Sequence, residues 1–119
     1  MADSESRLMI QRDGEITVAH FMDRNILDEA NIQRIGEELA ALVENAPVPK
    51  ILIDFDNVDH LSSAALGALI TVNNKVRQKD GQLRLANIDP QIHEVFKITK
   101  LDKLFQIHKN SHEAIKSFK

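Results

Sequence analysis

The chain contains no cysteine, no tryptophan and no tyrosine among its 119 residues. Without cysteine it cannot form a disulfide, offer a thiol nucleophile or build a metal site that needs a thiolate. Its five phenylalanines are the only aromatic residues, so it offers little surface for stacking nucleic-acid bases. The missing cysteine also fits a reducing compartment, and we expect the protein to be cytoplasmic.

Long apolar runs and a strong charge of one sign are absent as well. No stretch approaches the roughly 20 apolar residues that a membrane helix needs. The first seven residues, MADSESR, lack the basic and apolar regions of a signal peptide. A formal net charge of −3 argues against a basic face for nucleic acid. We therefore predict neither membrane insertion nor a nucleic-acid partner.

Alternating apolar residues and turn dipeptides predict five strands. Ile16 and Val18 alternate with polar residues after the hairpin dipeptide Asp13-Gly14. Ile51 to Ile53 belong to a short β-branched run that is typical of a strand at the buried centre of a sheet. The predicted strands cover residues 8–12, 15–21, 50–55, 82–86 and 104–107.

Apolar residues at helical spacing, together with capping residues, predict four helices. Ile92, Val95 and Phe96 are predicted to form the buried face of the third one. The first two helices are predicted over residues 28–45 and 63–79, the third starts at Asp89-Pro90 and the fourth at Asn110.

Two glycines near the second helix need a structural reason. Gly81 is predicted to be the C′ residue that follows the end of this helix. Gly67 lies inside the helix, where it costs about 1 kcal/mol relative to alanine. A neighbouring strand that approaches closely would explain it.

The resulting order of elements is ββαβαβαβα. Strands and helices alternate after the opening hairpin, which implies parallel strand pairs joined by right-handed crossovers. A hydrophobic content of 43% is enough for one core. We predict a single α/β domain over residues 1–119, with a mixed sheet of about five strands, about four helices and a flexible segment at residues 1–6.

The segment from Ile51 to Ile70 resembles the signature of the STAS domain family, in which an apolar strand and a loop precede Asp-Ser-Ser-Gly-Leu-Gly and a helix. Matching Leu66-Gly67 to the family's Leu-Gly aligns Ser62 with its Asp and Ser63 with its first Ser. His20-Phe21-Met22-Asp23 stands where the family often has Gly-Glu-Leu-Asp. The resemblance covers nearly the whole chain and implies a STAS-like fold.

Within that family the chain looks most like the anti-sigma factor antagonists, which act by binding and not as enzymes. Their first motif serine is a switch. Unmodified, the antagonist sequesters an anti-sigma factor, a serine kinase of the histidine-kinase-like ATPase fold. Phosphorylation breaks the complex and a phosphatase restores it. The resemblance implies Ser63 as the phosphoacceptor, Ser62 as the second choice, and no cofactor.

The resemblance also implies a partner-binding surface around the start of the second helix. This surface combines the loop that precedes the helix, its exposed side and an aspartate from the loop after the second strand. The implied contact residues are Asp23, Asp56, Asn57, Asp59, His60, Ser62, Ser63 and Leu66.

The chemistry of a helix start supports both a switch and an ordinary cap. A phosphate in the first turn lies near free N–H groups and the positive end of the helix dipole. It also adds about −1.5 to −2 charges to a surface that must meet a partner. A capping hydroxyl is worth about 1 kcal/mol, which by itself explains a serine here. Ser62 is the better candidate for the cap.

The residues around Ser63 also invite comparison with a serine hydrolase site and with a metal site. A serine hydrolase would use Ser63 with His60, but Leu61 and Ala65 stand where the nucleophile elbow needs glycine. Asp54, Asp56, Asp59 and His60 could ligate Mg²⁺ or Ca²⁺, but their spacing matches no EF-hand loop. A solvated acidic loop is the better account, so we predict no catalytic residues and no metal.

A second function stays open because the motif is altered. Ala64-Ala65 replaces the family's Ser-Gly, and Lys100 stands where the family often has glycine. A STAS scaffold or accessory subunit without a switch would tolerate these changes. Stressosome scaffolds are examples, as is the small STAS partner of the ATPase in lipid-transport ABC systems.

Overall fold

The computed structural model describes residues 7–118, and the segment 1–6 that was predicted to be flexible lies outside this range. Within it, five strands form one mixed sheet and two short strands form a separate parallel pair. The strands are β1 (Leu8–Asp13), β2 (Ile16–Phe21), β3 (Asn25–Ile26), β4 (Lys50–Asp54), β5 (His60–Leu61), β6 (Gln82–Ala86) and β7 (Gln106–His108). The helices are α1 (Glu29–Glu44), α2 (Ser63–Gln78), α3 (Pro90–Ile98) and α4 (Ser111–Ser117).

The predicted order of strands and helices is confirmed, with two short strands added. β3 and β5 have only two residues each, and no alternation of apolar residues marks them. The last strand begins at Gln106, whereas the sequence predicted that it begins at Leu104. Leu104 and Phe105 instead complete a 3₁₀ turn, in which their N–H groups donate to the carbonyl oxygen of Leu101.

The order of strands in the main sheet places the loops of interest along one edge. The order is β1-β2-β4-β6-β7, with β1 antiparallel to β2 and all other pairs parallel. The carboxyl ends of β2, β4, β6 and β7 therefore lie side by side. The loops that follow these strands share the same edge of the sheet, which is where ligands usually bind in open α/β sheets.

Helices cover both faces of the sheet. Ile51 and Ile53 of β4 belong to a large core that includes Leu39 of α1 and Leu69 of α2. On the opposite face, Ile16, Val18, Leu52 and Ala86 form a smaller core with Ala114 of α4. β4 is thus buried on both faces, as its continuous apolar run predicts.

A buried arginine holds the end of α4 against the sheet. Arg84 is 6% exposed, and its Nε donates to Ser117 Oγ over 2.9 Å. Its Nη2 donates to Gln82 Oε1 over 2.9 Å, and its guanidinium lies 5.0 Å from the centre of the Phe118 ring. Burial lowers the pKa of Arg84 below its usual value, although a guanidinium stays charged at neutral pH. A cation here also complements the carboxyl end of the helix.

The predicted buried face of α3 is partly wrong. Ile92 and Phe96 are buried, but Val95 is 39% exposed. Ile92 and Phe96 lie one turn apart, on the same stripe of the helix. α3 contacts the core along this narrow stripe, and Val95, which lies beside the stripe, faces outward.

The end of α2 corrects the prediction for Gly81. Asp80, and not Gly81, is the C′ residue, with a left-handed φ of 57°. The N–H of Asp80 donates to Arg77 O and that of Gly81 to Val76 O, which is a Schellman motif. Gly81 is needed for another reason: a Cβ there would clash with the carbonyl oxygen of Pro49 and lie 2.7 Å from its Cγ.

Gly67 has no close neighbour, contrary to the explanation offered from sequence. It is exposed on α2, and a Cβ at this position would meet nothing within 4 Å. Its place in the fold therefore does not require glycine.

Replacing each glycine by alanine should have opposite effects on stability. We expect Gly81→Ala to lower the free energy of unfolding by about 1–3 kcal/mol, because the added methyl overlaps backbone atoms. Gly67→Ala should raise it by about 0.5–1 kcal/mol, because alanine favours the helix. Urea denaturation measures both changes. A Gly81→Ala variant as stable as the unmodified chain would contradict the close approach to Pro49.

Candidate protein-binding site at the start of helix α2

Ser62 is the N-cap of α2, as predicted. Its backbone is extended, with φ −82° and ψ 166°, and its Oγ accepts a hydrogen bond from the N–H of Ala65 over 3.2 Å. Its carbonyl oxygen accepts the bond from Leu66 N that begins the helix. The hydroxyl of Ser62 is therefore engaged in holding the helix start.

Ser63 is the first residue of α2, and the fold makes little use of its side chain. The residue is exposed, and its hydroxyl has no hydrogen-bond partner among residues 7–118. By helix geometry, the N–H groups of Ser63 and Ala64 have no acceptor inside the helix. The first turn also contains no acidic residue. An accessible hydroxyl thus lies beside free backbone donors.

A small ladder of backbone hydrogen bonds positions this helix start. The carbonyl oxygen of Arg24 accepts from Asp59 N over 2.7 Å and from His60 N over 3.2 Å, and Ile26 O accepts from Ser62 N over 3.1 Å. The loop after β2 is thereby attached to the loop that enters α2. Leu27, which follows Ile26, is 54% exposed at this junction.

The predicted contact residue Asp59 already has a partner. Its Oδ2 lies 2.8 Å from Arg24 Nη2 and accepts from Arg24 Nε over 2.9 Å. Both side chains are well exposed, so the pair adds little to stability, but it offsets the charge of Asp59. Sequence reasoning missed Arg24, because a single arginine in a loop carries no signal until its partner across the ladder is known.

Asp23 lies on the loop that the ladder joins to the helix start, as expected from its position. Its side chain is 29% exposed, and its Oδ1 lies 3.5 Å from Arg7 Nη1. It is therefore partly withdrawn from the surface.

Leu66 does not belong to the exposed surface that the resemblance implied. It is 6% exposed and lies in the large core together with Leu69, one turn further along α2. The outward side of the first half of the helix is formed instead by small residues, which are Ser63, Ala64, Gly67 and Thr71.

The remaining predicted contact residues follow β4 in one loop. Asp56 and Asn57 are exposed, whereas Val58 is buried and its N–H donates to Phe55 O over 2.9 Å. Phe55 and Val58 thus hold the loop to the core, while the polar side chains between them face solvent. His60, on β5, is also exposed.

The arrangement required for a serine hydrolase is not formed by the described part of the chain. Neither Ser62 nor Ser63 forms a hydrogen bond with a histidine within residues 7–118. The same range contains no helix that is long and apolar enough to cross a membrane.

Comparison with known proteins agrees with the fold. A sequence model described as STAS domain matches residues 8–114. The chain belongs to the STAS domain family. Members of the anti-sigma factor antagonist type are regulatory binding proteins. BtrV of Bordetella bronchiseptica, named as a candidate anti-sigma factor antagonist, is 29% identical over 96 residues, which are 81% of this chain and 82% of BtrV.

Two solved structures show the same fold. The anti-sigma-factor antagonist STAS protein of Planctomyces limnophilus superposes with a TM-score of 0.82 at 22% identity, covering 90% of this chain and 93% of that one. SpoIIAA, a Bacillus cell fate determinant solved in its phosphorylated form, gives a TM-score of 0.70 at 18% identity, covering 92% and 96%.

The two serines should differ in their effect on stability. We expect Ser62→Ala to lower the free energy of unfolding by about 1 kcal/mol, because the N–H of Ala65 loses its acceptor. Ser63→Ala should change it by less than about 0.5 kcal/mol, because no contact is lost. Thermal denaturation of both variants measures the difference. An equal loss of stability in both would contradict the assignment of Ser62 as the only cap.

Proposed function

We propose that this STAS domain is an anti-sigma factor antagonist that binds an anti-sigma factor and is released when Ser63 is phosphorylated. The observation that carries the proposal is the difference between the two serines. Ser62 is engaged as the helix cap, whereas Ser63 is exposed and its hydroxyl has no hydrogen-bond partner within the described range. A kinase can therefore modify Ser63 without breaking an interaction that the fold needs.

The proposed contact region, which we term the switch surface, consists of exposed residues on the loop and helix that surround Ser63. Small side chains on α2 let a partner approach the helix backbone closely, and Leu27 adds an apolar contact beside them. Asp23 lies at the margin of this surface. Ser62 and Leu66 lie beneath the surface and hold the start of α2 in place. The switch surface comprises Leu27, Asp56, Asn57, Asp59, His60, Ser63, Ala64 and Gly67.

Phosphorylation would change the electrostatics of this surface more than its shape. A phosphate on Ser63 adds about −1.5 to −2 charges next to a loop that already carries Asp56 and Asp59. The free N–H groups at the helix start stabilise that charge locally, so the fold is expected to survive. The partner, in contrast, would have to desolvate the phosphate or meet it with like charge.

The expected partner is a serine kinase of the histidine-kinase-like ATPase fold, which acts as the anti-sigma factor. A phosphatase would return Ser63 to the binding form, and all three proteins would meet in the cytoplasm. Support comes from the names of the relatives, which are anti-sigma factor antagonists, and from a neighbour that was solved in a phosphorylated form.

The first test is the intact mass of the protein from its native cells, with the modified residue mapped by peptide fragmentation. A phosphate on Ser63 that disappears in Ser63→Ala is the expected result. A chain that stays unmodified under several growth conditions would favour the alternative, a STAS scaffold or transporter subunit without a switch. The protein that co-purifies then separates these two roles.

A binding experiment tests the mechanism with matched variants. Ser63→Asp should weaken binding to the co-purified kinase by about a hundredfold, because it leaves a charge desolvated in the interface. Ser63→Ala should bind and resist release by ATP.

Ser62→Asp provides the control for this experiment. Aspartate also caps a helix, so this variant adds the same charge one residue away and keeps the helix start intact. It should bind like the unmodified chain. Tight binding by Ser63→Asp, or equal loss in both aspartate variants, would contradict a switch that is specific to Ser63.

A further inference from the structure

Three potential metal ligands converge where β2 and β4 end. His20 and Asp54 are register partners in the parallel pair β2–β4, and Asp56 follows two residues later. His20 Nδ1 lies 3.7 Å from Asp54 Oδ2 and 3.7 Å from Asp56 Oδ1. All three atoms lie within 4.8 Å of one another.

Groups outside the cluster orient the buried carboxylate. The Asp54 side chain is only 5% exposed. Its Oδ1 accepts from Asn87 Nδ2 over 2.9 Å and from the backbone N–H of Asp56 over 3.0 Å. Within residues 7–118 its Oδ2 accepts no hydrogen bond and faces His20. One oxygen of this nearly buried side chain therefore faces the cluster without a hydrogen-bond donor.

Gln11 orients the imidazole of His20. His20 Nε2 lies 3.3 Å from Gln11 Oε1. An amide oxygen only accepts hydrogen bonds, so Nε2 carries a proton, and in the neutral ring the lone pair of Nδ1 faces the two carboxylates. Metal-binding histidines are held in this way, because the nitrogen that does not bind the metal donates to an oxygen nearby.

No lysine or arginine of residues 7–118 is paired with the cluster. Within the described range, His20 is the only ion-pair partner of Asp54 and Asp56. Two carboxylates then face one imidazole with no lysine or arginine paired to them. Their negative charges attract a cation to the point where the three side chains converge.

The distances suit a small divalent ion. Zinc is bound by histidine nitrogen and carboxylate oxygen at about 2.0–2.2 Å, which places neighbouring tetrahedral ligands roughly 3.4 Å apart. The two histidine–carboxylate distances of 3.7 Å would need to shorten by only a few tenths of an ångström, and the two carboxylate oxygens lie within 4.8 Å of each other. A nitrogen ligand favours a transition metal over Mg²⁺ or Ca²⁺, which prefer oxygen.

We propose that His20, Asp54 and Asp56 bind a divalent transition-metal ion, with Zn²⁺ as the best match. The fourth position is open to water. Asp56 is 58% exposed, and a cleft of about 230 Å³ beside His20 and Asp54, lined also by Gln11 and Ser111, reaches the site from solvent. The ion would join β2, β4 and the loop after β4.

This site differs from the one that sequence reasoning rejected. That set combined Asp54 and Asp56 with Asp59 and His60, but Asp59 is paired with Arg24, and the three ligands that converge include neither Asp59 nor His60. His20 completes the set, because β2 and β4 are neighbours in the sheet.

Isothermal titration calorimetry with ZnCl₂ on untagged, EDTA-treated protein at neutral pH tests the proposal. We expect one ion per chain. His20→Gln and Asp56→Asn should each weaken binding by at least about tenfold, the smallest loss usual for outer-shell changes. Asp56→Asn alters an exposed loop residue and should fold normally, so the test holds even if His20→Gln does not fold.

His60→Gln and Asp59→Asn are the matched controls, since they remove the same types of side chain from the same region. Both should bind Zn²⁺ like the unmodified chain. Absence of saturable binding up to about 1 mM, which corresponds to only −4.1 kcal/mol, would overturn the proposal. So would controls that lose as much affinity as the two ligand variants. These titrations use the metal alone, so their outcome is independent of the proposed kinase partner.

The competing occupant of the cluster is a proton on His20 Nδ1. Nitrogen-15 NMR of the imidazole distinguishes the two cases. Addition of Zn²⁺ should shift the Nδ1 resonance much more than the Nε2 resonance, whereas a ring that carries protons on both nitrogens and does not respond to Zn²⁺ would overturn the metal site.

Discussion

The burial of β4 on both faces is the constraint on which the rest of the domain depends. Leu52 and Ile53 are fully buried, and the strand is hydrogen-bonded to β2 on one side and β6 on the other. Helices α1 and α2 pack on one face and α4 on the other. Because β4 cannot shift without disrupting both cores, the point where it ends is well defined. Asp54 marks that point, and the loop to α2 starts directly after it.

The loop that follows β4 has few buried apolar residues and is held mainly by backbone hydrogen bonds. Phe55 and Val58 are buried, and hydrogen bonds to Arg24 and Ile26 hold the following residues. The ladder directs Ser62 into the cap position, and this leaves Ser63 outside the network. Such a division of roles suits a regulated surface, since a modification there need not compete with the interactions that maintain the fold.

The switch surface and the proposed metal cluster share this loop. Asp56 belongs to both, and its backbone N–H already donates to the buried Asp54 carboxylate. An ion bound by His20 and the two aspartates would offset negative charge beneath the surface that a partner meets. The two proposals therefore concern neighbouring groups, although each rests on its own contacts.

Sequence alone determined the features of this protein that depend on nearby residues. Helical and alternating periodicities located the helices and the strands of the main sheet, and the caps at Ser62 and Asn110 followed from side chains within three residues. The STAS signature likewise identified the family. Tertiary structure alone decided why Gly81 must lack a Cβ and that Arg24 meets Asp59. It also brought His20 to Asp54. Each of these depends on segments about 30 residues apart, whose contact is set by the packing of whole elements and leaves no local pattern.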